Sequence, residues 1–232
     1  MKIADINIIS LEIPFKESFS HTSAKRDKTQ SVLVRVLTDK GFSGYGEGCP
    51  REYVTQENIK TSIIFFKKYK KNIIKNIHSL QDLKKWIHDN EKLIDLNPAA
   101  WCAIELALLE ALANEKKCSV EQLLGLSDLS ESFTYSAVIG NDSLKIIESK
   151  INRYKNLNFS NIKVKITGNS NEDNAKCNLI NAGFPSAEIR LDANNIWRNV
   201  NDVLRYLDSI TFSPNFIEEP LQALDFKEIK KF

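Results

Sequence analysis

The sequence predicts an α+β unit followed by an incomplete α/β barrel of the TIM type, with about four of the eight βα units present. Two observations carry the architecture: three strand-like segments precede three helix-like ones, and strand and helix then alternate with a steady spacing. A third concerns chemistry. Polar residues stand at the carboxyl ends of three consecutive strands of the alternating half, the position where a barrel carries its site.

In the first half, residues 2–13 set Ile3, Asp5, Asn7 and Ile9 against Ile6, Ile8 and Leu11, a strand pattern closed by Pro14. Residues 31–38 form a second strand, Asp39-Lys40-Gly41 a turn, and Phe42 to Glu47 a third strand. The polar stretch from Glu17 to Gln30 is too long for a tight connection and reads as a candidate functional loop. Helical periods follow at 57–73, 79–95 and 98–114. The last begins at Pro98, is apolar nearly all round, and is expected to be the buried one. The unit ends near Gly125, which gives domains of 1–125 and 126–232.

In the second half, strands are expected at 133–140, 161–167, 187–194 and 215–221, with helices at 142–156, about 170–182 and 199–209. The strands are apolar runs, as suits parallel strands covered by helices. Gly140, Lys165, Asp192 and Glu218 mark their ends at intervals of 25 to 27 residues. Eight units of that period need roughly 200 residues or more, and about 100 follow residue 130. The expectation is therefore half a barrel.

Composition narrows the function. The 232 residues carry a formal net charge of +2 with acids and bases interspersed, which argues against a nucleic-acid footprint. The run Lys67-Lys68-Tyr69-Lys70-Lys71 reads as a solvated helix face. No apolar stretch is long enough to span a membrane, and residues 1–5 lack the apolar core of a signal peptide. Cys49, Cys102, Cys118 and Cys177 are scattered, as free thiols rather than a disulfide frame or zinc site. These features together point to the cytoplasm.

The candidate chemistry lies at the strand ends. Lys163 and Lys165 are two apart and project from one face of their strand. Two ammonium groups held close and partly desolvated lower each other's pKa, which suits a general base. Asp192 ends the next strand, and a carboxylate there is paired, solvated or metal-bound. Glu218-Glu219-Pro220 ends the one after, and alternation lets only one of the two glutamates face the site. Two carboxylates with room for water fit Mg²⁺; with no His or Cys at these ends, zinc does not fit. The competing reading is a structural salt bridge, for example Glu219 with Arg190. A cation that stabilises charge on a carboxylate while a lysine removes the adjacent proton gives the set a chemical logic.

The segments IKVKITG (162–168), RLDANNIW (190–197), FIEEPL (216–221), AAWCAIELALLEALA (99–113) with LLGL (123–126), and GYGEGCPREYVTQE (44–57) resemble the muconate-lactonizing-enzyme subgroup of the enolase superfamily, over essentially the whole chain. The resemblance implies an N-terminal capping domain and Mg²⁺-dependent abstraction of a proton α to a carboxylate through an enediolate. The outcome would be epimerisation, as in dipeptide epimerases, or elimination, as in o-succinylbenzoate synthase; muconate-type cycloisomerisation is the alternative within the class. It implies Lys165 as acid/base and Lys163 as the residue that lowers its pKa and meets the substrate carboxylate. Asp192 and Glu218 would be metal ligands, and Asn194 and Glu219 would stand behind them. His21, Arg51, Tyr53 and Ser136 would touch substrate.

Family members also carry a third metal-binding acid and a second lysine on later strands, which in this sequence would fall beyond Phe232. The chain is therefore also expected to be a truncated, catalytically incompetent product or one half of a split enzyme. It would associate with itself or with a complementary C-terminal fragment. The partner expected in either case is a small carboxylate, with no nucleic acid and no membrane.

Overall fold

The computed structural model describes residues 1–21, 24–127, 132–223 and 225–232, with backbone alone at 17–21, 24 and 25. The chain divides into two compact units, 1–17 with 27–131 and 18–26 with 132–232.

The first unit opens with β1 (Ile3–Leu11). Ile3 and Ile6 are both buried although three residues apart, because the pairing register shifts between Ile3 and Asp5. Next along the chain come β2 (Pro14–His21) and β3 (Ala24–Lys28), which form a two-stranded sheet whose residues 18–26 are grouped with the second unit. The segment expected as a loop is therefore strand over most of its length. A two-stranded ribbon need not bury one face, so it lacks the apolar alternation by which strands are recognised. β4 (Ser31–Thr38) pairs antiparallel with β1 on one side and with β5 (Ser43–Gly48) on the other.

Six helices follow: α1 (Glu52–Thr55), α2 (Ile59–Asn76), α3 (Leu80–Asp89), α4 (Glu91–Asp95), α5 (Pro98–Lys116) and α6 (Val120–Leu124). α1 and α6 are too short to show a period in sequence. Asn58 starts α2 through reciprocal bonds with Thr61 (3.0 and 2.9 Å). The single helix expected over 79–95 is two, α3 and α4, divided at Asn90, whose amide donates to the carbonyls of both Trp86 and Ile87. The apolar period continues across that break, so periodicity alone does not reveal it.

α5 is the buried helix, with 11 of its 19 residues inside. Trp101 stacks on Trp86 of α3 at 4.3 Å. Pro98, at the first helical position, has no N–H. The next two amides, of Ala99 and Ala100, donate to the buried Glu57 carboxylate at 2.7 and 3.0 Å. A negative group is favourable at a helix N-terminus, so Glu57 both caps α5 and pins it to the segment before α2.

β5 lies directly against α5. A Cβ added at Gly44, Gly46 or Gly48 would stand 2.2, 2.1 and 2.0 Å from the carbonyl oxygens of Ala107, Ala103 and Ala99. Two strand residues rise about 6.8 Å and four helix residues about 6 Å. A Gly-x-Gly-x-Gly strand therefore keeps step with an Ala-x-x-x-Ala-x-x-x-Ala helix.

The second unit runs β6 (Ser136–Ile139), α7 (Leu144–Tyr154), β7 (Asn161–Lys165), α8 (Ser170–Gly183), β8 (Glu188–Asp192), α9 (Val200–Ser209), β9 (Phe216–Glu218) and α10 (Phe226–Ile229). Its sheet has the order β6-β7-β8-β9, all parallel, so the four βα units stand in the sequence expected. One face, with Ile162, Val164, Ile189, Leu191 and Ile217, packs on Ile147, Ile151, Cys177, Ile180 and Tyr206 of the helices. The other face carries Lys163, Lys165, Arg190, Asp192 and Glu218 by alternation. All four cysteines are free, and burial pushes the Cys177 thiol up to about 12. Among the described residues no helix is long and apolar enough to cross a membrane.

The glycine–alanine seam is testable. Gly46→Ala is expected to lower stability by about 1–3 kcal/mol, because the new methyl meets backbone on α5 rather than a side chain that can turn away. A urea-denaturation midpoint equal to that of the unaltered chain would contradict this.

Candidate active site

The parallel register sets Lys165, Asp192 and Glu218 in one rung across β7, β8 and β9, with Lys163, Arg190 and Phe216 one pleat below. This rung is the carboxyl end of all three strands. The spacing of 25 to 27 residues thus becomes lateral adjacency, because each βα unit returns the chain to the same height.

Asp192 is the centre. It is 1% exposed, and its Oδ2 accepts from Lys165 Nζ at 2.6 Å and from Lys163 Nζ at 2.8 Å. Lys163 also reaches Glu218 Oε1 at 2.8 Å, and Arg190 Nε lies 3.4 Å from Glu218 Oε2. Lys165 donates in addition to Asn194 Oδ1 at 2.9 Å. The backbone amide of Asn194 donates to Asp192 Oδ1 at 3.1 Å, so both oxygens of the central carboxylate are held.

The electrostatics follow from this geometry. Burial pushes the Asp192 carboxyl up, but the bonds from Lys163 and Lys165 outweigh it and hold the group below the usual carboxylate range. Burial pushes the Lys163 ammonium down, and Asp192 and Glu218 reverse that and keep it above the usual lysine range. The expectation that the paired lysines depress each other is therefore not met at Lys163. Two carboxylates within hydrogen-bond distance dominate over the neighbouring ammonium.

The two-glutamate alternative resolves in an unexpected way. Strand alternation assigns Glu218 to the site face, but β9 ends there. Glu219 takes φ +48°, a left-handed conformation, and its Oε2 accepts from Asn194 Nδ2 at 3.4 Å. Glu219 therefore joins the rim through Asn194, and the arginine bridge expected of it belongs to Glu218. Asn194 and Asn195 are also left-handed, at φ +49° and +61°, a conformation Asn tolerates better than most residues.

Ser136 is on the same face but at the opposite end of its strand, level with Asn161. Arg51 donates from Nη1 to the carbonyls of Gln30 and Pro50, both at 2.6 Å. Tyr53 stands exposed on α1. The side chain of His21 lies outside the described residues.

One group escaped the sequence reading. Asp173 and Lys176 of α8 and Tyr206 of α9 form a buried cluster beneath the carboxyl end of β7. Two charged residues three apart on a helix read as a solvated pair, and nothing in the sequence marks them as inward-facing.

Whether these residues suit a divalent cation turns on the donor set. Asp192 and Glu218 present carboxylate oxygens from adjacent strands of one rung, which fits Mg²⁺ with water completing its shell. Among the described residues no cluster of three or more His, Cys, Asp or Glu side chains is arranged to hold a metal.

The chain resembles several characterised proteins. It is 25% identical over 240 residues to a hydrophobic dipeptide epimerase of Enterococcus faecalis, covering 99% of this chain and 64% of that protein. It is 25% identical to an o-succinylbenzoate synthase of Listeria innocua, covering 94% and 56%. It is 30% identical to an L-Lys-D/L-Arg epimerase of Desulforapulum autotrophicum, covering 96% and 62%. The chain thus spans less than two thirds of the length of these three relatives.

Two solved structures share the fold. The dipeptide epimerase of Enterococcus faecalis, complexed with Mg and the dipeptide L-Leu-L-Tyr, matches with a TM-score of 0.88 at 23% identity over 99% of this chain and 64% of its own. A substrate-liganded L-Ala-D/L-Glu epimerase of Bacillus subtilis matches at 0.86 and 23%, over 100% and 65%. An enolase C-terminal domain-like family model matches residues 147–232. Since the mandelate racemase / muconate lactonizing enzyme N-terminal domain model matches residues 6–125, more than half the chain, the chain belongs to that family.

Proposed function

We propose that this protein takes part in Mg²⁺-dependent abstraction of a proton α to a carboxylate, leading to epimerisation of a dipeptide-like acid or, as the second outcome, to elimination of the o-succinylbenzoate synthase kind. The observation that carries the reading is the single rung of Lys165, Asp192 and Glu218, with two lysine ammoniums on one oxygen of Asp192. In this reading residues 1–125 are the capping domain and 126–232 the catalytic one. The free thiols support a cytoplasmic setting.

Asp192 and Glu218 would hold the cation. When bound, Mg²⁺ supplies positive charge to the substrate carboxylate as its neighbouring C–H bond ionises. Lys165, as the neutral amine, accepts that proton at Nζ to become the ammonium, and returns it from there. Asn194 and Asp192 aim the Lys165 ammonium, since both bond it at the strand end. Lys163, at the same face and one pleat below, contributes a fixed positive charge for the substrate carboxylate. Arg190 steadies Glu218 from the outer side.

A second reading has its own support. The contact of Arg190 with Glu218 and those of both lysines with Asp192 satisfy these charges without any ligand. On that view the rung is a structural ion-pair network, and the protein binds neither cation nor substrate.

Two experiments separate the readings. In deuterated water with Mg²⁺, the chain is expected to exchange the α-proton of a hydrophobic dipeptide, followed by loss of its proton NMR signal. Lys165→Ala should slow exchange by about 10²–10⁴-fold, and exchange that survives the substitution removes Lys165 as the base. By calorimetry, Asp192→Asn and Glu218→Gln should each weaken Mg²⁺ binding by at least about tenfold in a chain that circular dichroism shows to be folded. An unaltered chain that binds no Mg²⁺ would leave the structural network standing, and affinity unchanged in both variants would remove Asp192 and Glu218 as ligands.

A further inference from the structure

The carboxyl end of β7 is gripped from below by buried charge. Lys176, 3% exposed, donates from Nζ to the backbone carbonyl of Lys165 at 2.6 Å and to Asn141 Oδ1 at 2.8 Å, and lies 3.3 Å from Asp173 Oδ1. Its three donor positions are thus all taken. Asp173 is fully buried and accepts from the amides of Thr167 and Gly168 at 3.1 and 3.0 Å, and from the hydroxyl of Tyr206 at 3.1 Å. Burial and the Asp173 charge both push the Tyr206 hydroxyl up, so it remains a donor.

Burying an ammonium and a carboxylate costs several kcal/mol each, and apolar residues of like volume commonly serve stability as well. What apolar residues cannot do is bond the carbonyl of Lys165 and the two amides beyond Ile166. The first of those groups belongs to the residue whose side chain meets Asp192 at 2.6 Å, and the other two follow it within three residues. Ile166 continues the constraint, since its amide donates to the Asp192 carbonyl at 3.1 Å.

From this geometry we infer that Lys176 and Asp173 are positioning residues for Lys165, fixing the height and direction of the strand end from which its ammonium reaches the rung. The inference deepens the proposed proton transfer and rests on it for its significance. Displacing a reacting group by about 1 Å costs on the order of 10²-fold in rate. A tether on the same residue's carbonyl is the shortest route by which the fold can prevent that.

The test uses the full chain with ¹³C-labelled lysine, the Lys165 ε-methylene signal being assigned by Lys165→Arg. Lys176→Met is expected to move or broaden that signal while the signals of lysines in the first unit, such as Lys40 and Lys85, stay in place. Tyr206→Phe, which removes one bond to Asp173 and leaves the ammonium intact, should move the Lys165 signal in the same direction by less. It decides the matter if Lys176→Met does not fold. Asn178→Ala on the same helix, whose side chain bonds Thr211, is the control and should leave the signal unmoved. A Lys165 signal at its original position in the folded Lys176 and Tyr206 variants overturns the inference. None of these signals depends on turnover, so an unaltered chain that fails to exchange the α-proton refutes the proposed reaction and leaves this result to be read separately.

Discussion

Everything at the carboxyl end of the sheet depends on the requirement that the buried carboxylate of Asp192 be fully bonded. At 1% exposure it has no water to fall back on, and an unpaired ion there would destabilise the fold by several kcal/mol. Two lysines from β7 and the amide of Asn194 meet the need. This fixes the register of β7 against β8, since a slip of one residue would turn both lysines to the helix face. Glu218 then balances the second charge on Lys163 and ties β9 to the same height.

The backbone at the strand ends is shaped to the same purpose. Asn194, Asn195 and Glu219 all take left-handed conformations immediately past their strands. For asparagine this is mild, but for glutamate it carries a cost of roughly 1–2 kcal/mol. The turn at Glu219 brings its carboxylate to Asn194, which in turn bonds Lys165. Beneath the rim, Lys176 and Asp173 hold the other side of β7. Lys165 is therefore constrained from its ammonium, its carbonyl and the two amides that follow Ile166.

Much of this was legible in the sequence, for definable reasons. The lysine pair, Asp192 and Glu218 stand at regular intervals at the ends of apolar runs, and a parallel βα repeat converts such intervals directly into neighbours. The burial of α5 was legible because its apolar residues cover every face of the helix. The β2–β3 ribbon was not, because its mostly polar sequence carries no alternation of apolar residues to read. The break at Asn90 was hidden because the apolar period runs on past it to Leu93 and Ile94, which are partly buried against the core. The Asp173–Lys176 cluster was hidden because a charged pair three apart looks alike on a wet face and a dry one. The place of Glu219 beside Asn194 came from the family resemblance and not from alternation, which stops applying one residue before it, at the end of its strand.

The energetics bear on how such a rung is to be understood. Lys163, Lys165, Arg190, Asp192 and Glu218 stand on one face of three short strands, and a face of valine and leucine would hold those strands at least as well. The first unit shows the alternative in the same chain. There β5 meets α5 through glycine and alanine, its sheet packs through isoleucine and valine, and the buried carboxylate of Glu57 caps a helix. The contrast is in keeping with the proposed function, in which the charges of the second unit serve a site. Asp192 is met by Lys165 from the same rung and by Lys163 from one pleat below, and Glu218 by Lys163 and Arg190. On the proposed reading, a ligand entering from the carboxyl end would meet carboxylate oxygens and ammoniums already held in place. That is the preorganisation electrostatic catalysis requires, because no dipole has to turn as charge develops.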